Sequence, residues 1–269
     1  MNRFVRTLAA CALAVSLVAI SNAARATEYA DLWWNPLEDR WGLQTSQQGD
    51  SMFITLYVFD ANRNATWFNG LMFRTTFGGP VFQGTLSQAS GPYFGSPTYA
   101  PPGENRTVGT VTFTATSPTT ATVTYTVDGV VVTKNVQRLT LASHNLSGFY
   151  IGSFLSNQFN CANPLADSLF NGSGEFTIVH TPPAPNVEIT ATLSDNLVNF
   201  TCTYQGTYSQ LGNVGSIVGT YQCSSGQAGT WNARLIGISP RLNIEGRYSG
   251  TNVAPGCQIE GDFGGIRRF

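Results

Sequence analysis

The chain is short of charge. Its 269 residues hold 14 Lys plus Arg and 15 Asp plus Glu, or 11% charged residues. Lys134 is the only lysine, and histidine occurs twice, at His144 and His180. Without a basic cluster the chain lacks the electrostatic footprint of a nucleic-acid binder or of a polybasic membrane patch. Two histidines in separate segments, and no Gly-x-Ser-x-Gly elbow, leave a nucleophilic triad unsupported. No Cys-x-x-Cys pair or spaced His pair suggests a metal, and no motif calls for a cofactor. No segment after residue 26 has convincing amphipathic helical spacing. Thr, Ser, Asn, Gln and Gly are abundant instead, with β-branched and aromatic residues among them, which favours strands and turns.

The one long apolar run lies at the start. Arg3 and Arg6 precede LAACALAVSLVAI, and Ala24-Arg25-Ala26 offers a small-x-small cleavage site. This reads as a secretory signal peptide cleaved after Ala26, in a protein destined for the periplasm or the exterior. The run is too short for a membrane span. Leu8-Ala9-Ala10-Cys11 has the look of a lipoprotein site, but most of the apolar core follows Cys11. Cleavage removes Arg3, Arg6 and Arg25, leaving 11 cationic residues against 15 acidic ones, a net charge of about −4. It also removes Cys11. Cys161, Cys202, Cys223 and Cys257 remain, an even number that reads as two disulfides in an exported chain.

Strand-length runs separated by turn residues fill the rest. They fall into two segments, a first domain at 27–139 and a second at 147–269, joined by LTLASHNLS. The fold expected is all-β: two tandem antiparallel up-and-down barrels or closed meanders. Asp128-Gly129 predicts a type I′ hairpin between ATVTYTV and VVVTK. Val111, Phe113 and Ala115, then Val123, Tyr125 and Val127, alternate with threonines, the pattern of a half-solvated sheet. The runs at 51–59 and 66–73 differ. Phe53, Tyr57 and Phe59 oppose Met52, Ile54, Leu56 and Val58, while Trp67, Leu71 and Phe73 oppose Phe68 and Met72. This two-sided wall is expected to pack on the second barrel or on a partner copy.

In the second segment, centring a hairpin on Gly212-Asn213 places Cys202 opposite Cys223, within disulfide reach. The remaining pair, Cys161 and Cys257, would tie the first strand's loop to the last strand, neighbours in a closed barrel.

LWWNP at 32–36, WG at 41–42, QQGD at 47–50, YVFDANRNATW at 57–67 and TYTVDGVVVTKNVQR at 124–138 together resemble a domain of uncharacterised exported proteobacterial proteins. Arg40 stands where that family has a small residue, and Arg63 where it has a turn glycine. The resemblance, over about residues 30–138, implies a β fold and export and no catalytic residues. A looser likeness links the chain to lipocalin and avidin barrels, which often carry Gly-x-Trp on the first strand and a basic residue near the last. Trp33 or Trp34 with Arg138, and Gly148-Phe149-Tyr150 with Arg267 or Arg268, would be the equivalents, an arginine on a ring closing each floor.

Other chemistry is thin. Asp60-Ala61-Asn62-Arg63-Asn64 has the opening spacing of a calcium loop but lacks its glycine and its last glutamate, so a hairpin turn suffices. Glu260 and Asp262 would share a strand face side by side, not across a cleft as glycosidase carboxylates do. Glu38-Asp39 read as an exposed turn. An outer-membrane barrel would need apolar, lipid-facing residues at the alternating positions before the terminal Phe269, and Gly261, Gly265 and Arg267 stand there instead. Trp33, Trp34, Trp41, Tyr57 and Trp67 are candidate ligand-binding aromatics, against the alternative of barrel core and floor. The function expected is a non-enzymatic exported binding or interaction protein. A small-molecule carrier with a hollow barrel is the alternative, and a hydrolase of extracellular polymers a distant third. A second barrel filled by Tyr204, Tyr221 and Trp231 would exclude the carrier.

Overall fold

The computed structural model describes residues 27–96, 103–194, 199–238 and 243–268. The proposed signal peptide, Cys11 and Phe269 lie outside the described residues. Among the described residues no helix is long and apolar enough to cross a membrane.

The protein is all-β, built as two closed eight-stranded antiparallel barrels of up-and-down order. The first comprises β1 (Asp31–Trp34), β2 (Gly42–Gln48), β3 (Ser51–Phe59), β4 (Ala65–Arg74), β5 (Val81–Ala89), β6 (Asn105–Ala115), β7 (Thr120–Val127) and β8 (Val130–Arg138). The second comprises β9 (Gly148–Phe159), β10 (Ser168–His180), β11 (Asn186–Ser194), β12 (Asn199–Leu211), β13 (Val214–Cys223), β14 (Ala228–Ile238), β15 (Asn243–Asn252) and β16 (Cys257–Arg268). Closure removes every sheet edge, the hazard that open all-β sheets must manage.

Local chemistry explains the turns. Asp128 (φ 47°) and Gly129 (φ 85°) both lie in the left-handed region that a type I′ turn requires. In the β3–β4 hairpin, Asp60 Oδ1 accepts from the Asn62 and Asn64 amides at 2.9 and 2.8 Å. That is an Asx turn rather than an ion loop. Arg63 (φ 66°) and Arg40 (φ 67°) are both left-handed, which is why glycine or another small residue suits these two positions.

The first barrel has a filled interior. Met52, Ile54, Leu56, Met72, Phe82, Leu86, Phe113 and Val123 have no exposed surface. Edge-to-face contacts of Trp33 with Phe113 (5.1 Å) and Phe82 with Phe113 (6.5 Å) pack the centre. The seam between β1 and β8 is short, with Trp33 opposite Arg138 and Trp34 opposite Gln137. Arg138 secures it. Its guanidinium lies 5.0 Å from the Trp33 ring. It donates to Asp31 Oδ2 (2.8 Å), Glu28 O (2.6 Å) and Pro118 O (2.9 Å). An arginine only 2% exposed needs this many acceptors to offset its desolvation.

In the second barrel the register sets Arg267 opposite Tyr150 across the β16–β9 seam. Its disulfides are Cys161–Cys257 and Cys202–Cys223. The β12–β13 register does set Cys202 opposite Cys223.

The barrels meet in a different way from that expected. Phe53, Tyr57, Phe59, Trp67, Leu71 and Phe73 are 46–57% exposed, so the second barrel does not cover the wall. Its inward residues already saturate the first core, and the linker brings a turn, not a sheet face, against the first barrel. That turn is Gly212-Asn213. Asn213 N donates to Asp31 Oδ2 at 3.1 Å, and Gly212 N to Thr140 Oγ1 at 2.9 Å. Asp31 therefore serves both its own barrel's arginine and the neighbouring barrel's backbone.

Candidate ligand cavity

The inward positions of the second barrel leave a cavity of about 150 Å³. Its wall is apolar for the most part: Phe154, Phe176, Ile178, Ile189, Phe200, Ile217, Ile259 and Phe263 contribute, with Tyr204, Tyr221, Tyr248 and Trp231. Tyr204 stacks on Tyr221 (5.6 Å) and meets Trp231 edge-on (5.1 Å). These three rings were the ones whose filling of the lumen would have excluded a carrier. They form its wall instead.

Inward glycines explain why the lumen stays open. A methyl on Gly265 or Gly152 would strike the Phe176 ring at 2.5 and 2.8 Å, and one on Gly172 the Phe154 ring at 2.5 Å. Gly261 stands in the same relation to Tyr248, and Gly246 to Phe263, both at 2.8 Å. Each ring covers a glycine on a neighbouring strand, in space that a Cβ would otherwise fill. This is the pairing by which aromatics cover strand glycines.

The end away from the first barrel carries the disulfides, with Gln158, Gln227 and Asn252 lining the cavity there. The opposite end is closed by Leu146, Tyr150, His180 and Tyr208, all buried. Tyr150 donates its hydroxyl to Leu146 O at 2.8 Å.

No acidic or basic side chain is among the described residues lining the cavity. Burial pushes the Tyr248 phenol up to about 12, against a hydrogen bond from Ser156 that pulls it down. Burial also raises Tyr204, with its neighbours Tyr248 and Tyr221 adding to the shift, and burial raises Tyr221. The wall is thus uncharged near neutral pH. Two buried polar atoms on it have no hydrogen-bond partner, Trp231 Nε1 and Asn252 Oδ1.

The five candidate aromatics of the first barrel do not form one site. Trp33 is core, 1% exposed, its Nε1 donating to Thr45 Oγ1 at 3.0 Å. Trp34 follows it on the strand and takes the opposite face. Trp41 packs against the core, its Nε1 donating to Tyr125 Oη at 3.3 Å. Tyr57 and Trp67 are register partners on the outside of β3 and β4. The strand alternation separates them, because inward and outward residues cannot share a surface.

The two histidines lie where the sequence puts them, His144 in the linker and His180 at the end of β10, but they pack inward. His180 is 4% exposed and accepts from Leu146 N through Nδ1 at 3.3 Å. His144 Nδ1 lies 3.2 Å from Tyr208 Oη, and the His180 ring meets Tyr208 edge-on at 5.1 Å. They help close the barrel floor. On β16, Gly261, Gly265 and Arg267, the positions that an outer-membrane barrel would turn to lipid, are the inward set, since Phe263 between them packs on the core. Gln258, Glu260, Asp262 and Arg268 face solvent instead, so the outer surface of this strand is still unsuited to lipid. Asp262 pairs with Arg247 at 3.2 Å. Glu38 binds Lys134 at 2.6 Å, so it is not a free turn acid. Among the described residues no cluster of three or more His, Cys, Asp or Glu forms a metal site.

No protein-family model matches the chain, and no curated protein matches it.

Proposed function

We propose that the chain is a non-enzymatic exported binding protein that carries a small, largely apolar molecule in its second barrel. The cavity carries this reading: one barrel of the pair is filled, and the other has an uncharged apolar lumen of about 150 Å³. Ligand sites are typically concave, mainly apolar and supplied with a few placed polar groups. The two disulfides suit an oxidising compartment, and so do the signal-like N-terminus and the resemblance of residues 30–138 to exported domains.

Native mass spectrometry of protein purified from its own host tests the proposal. A discrete small-molecule increment, lost on mild activation, is the expected result. The polypeptide mass alone would count against a carrier.

A second reading rests on the six exposed apolar side chains of β3 and β4. A continuous apolar face of this kind marks interaction surfaces in soluble proteins. A stable dimer or a bound partner in the same measurement would favour it.

A further inference from the structure

We propose that the second-barrel cavity binds a neutral molecule about one ring in size that bears a hydroxyl or a carboxamide, held between Trp231 and Asn252. The inference rests on the carrier reading and narrows it to a ligand class.

Size comes first. An apolar cavity of about 150 Å³ accommodates a benzene-sized guest.

Polarity comes from two side chains. Trp231 is 6% exposed and Asn252 2% exposed, and both line the cavity. Trp231 Nε1 is a donor only, and it has no acceptor. Asn252 commits its Nδ2 to Gln158 Oε1 at 3.1 Å, which leaves Oδ1 as an acceptor with no donor. Gln158 is itself fixed by donating to Ala166 O at 2.9 Å, so Asn252 is not free to flip and satisfy itself. Trp231 pairs with Gly250 in the β14–β15 register, which makes Asn252 its diagonal neighbour on the inner face. Such neighbours stand about 7–8 Å apart at Cα, near enough for one small functional group to reach both side chains. A hydroxyl or an amide accepts and donates at once, and so matches both atoms.

Charge follows from the wall. Among the described residues no cation lines the cavity to balance an anion, and a carboxylate would meet Asn252 Oδ1 as a second acceptor. A charged guest would also forfeit its hydration without compensation.

Calorimetric titration of the intact, oxidised protein with benzyl alcohol, benzamide, toluene and benzoate tests the proposal. Benzyl alcohol and benzamide should bind about tenfold more tightly than toluene, because only they satisfy both buried atoms. A merely apolar lumen would rank toluene first, so the order itself is diagnostic. Benzoate should bind least. Trp231→Phe keeps an aromatic wall and should erase about fivefold of the preference for the polar guests, the worth of one hydrogen bond. The wild-type ranking stands as evidence even where that variant folds poorly. Toluene or benzoate binding as well as the polar guests would overturn the inference and leave the carrier reading intact. Binding of none of the four would overturn both.

Discussion

Replacing Gly212 with alanine should cost far more than its size suggests, because the residue is the joint between the barrels. Gly212 sits at φ 61°, a conformation that costs a residue with a Cβ about 1 kcal/mol. The added methyl would stand 2.4 Å from Asp31 Oδ2 and 2.6 Å from Arg138 Cβ, where van der Waals contact is about 3.5–4 Å. Neither neighbour can retreat. Asp31 is held by Arg138 at 2.8 Å and by Asn213 N at 3.1 Å, and Arg138 is anchored to two backbone carbonyls. The turn must therefore lift by about 1 Å, losing contacts or straining them at about 1–3 kcal/mol. Gly129→Ala supplies the control. Gly129 is left-handed too, at φ 85°, but its methyl would meet nothing within 4 Å. Urea unfolding should show a loss of about 1 kcal/mol for Gly129→Ala and about 2–4 kcal/mol for Gly212→Ala. Equal losses for the two variants would refute the joint.

Arg63→Gly should stabilise the first barrel by up to about 1 kcal/mol, the left-handed strain relieved less the chain entropy glycine adds, read as a raised urea midpoint. Acidification should destabilise the second barrel. Burial lowers the pKa of His144, and burial lowers that of His180 against a hydrogen bond from its ring to the Ala184 carbonyl. The unfolded chain therefore binds protons first, so this stability is whole above about pH 6.5 and is lost as pH falls below it. Thermal melts from pH 7.5 to 5 should show the decline, and a melting temperature flat over that range would contradict it. Gly265→Ala should abolish binding of ring-sized probes while leaving the oxidised barrel folded, because its methyl would push the Phe176 ring into the lumen. Unchanged affinity in that variant would mean the ring does not gate the space.

Where structure depends on neighbours in sequence, the sequence was readable. Alternation put Met52, Ile54 and Leu56 on one face of their strand, and all three are fully buried. The turn Gly212-Asn213 determined the β12–β13 register, and that register alone brought Cys202 to Cys223. Pairing of a first-strand aromatic with a last-strand arginine came from the likeness to lipocalin and avidin barrels, and Trp33 does stand opposite Arg138 where the closing strands adjoin. Alternation could not say whether the second face of β3 and β4 is covered, because that depends on another surface. It did set Glu260 and Asp262 on one face of β16, and both are exposed.

The cavity was hidden for a related reason. Aromatic residues in a β domain ordinarily mean a filled core, and the first barrel obeys that rule with Trp33, Phe82 and Phe113 crossing its centre. The second barrel has comparable rings but sets them against glycines of adjacent strands. Phe176 over Gly152 and Gly265 draws on three strands, β9, β10 and β16, which meet only because the barrel closes. No window of sequence contains that triplet, so composition alone reads it as packing. Aromatic content therefore predicts how apolar a small barrel's interior is, while the registration of aromatics on glycines decides how much of it remains open. On that argument the lumen is a property of the closed sheet, and strand slippage by one residue would destroy it before it destroyed the barrel.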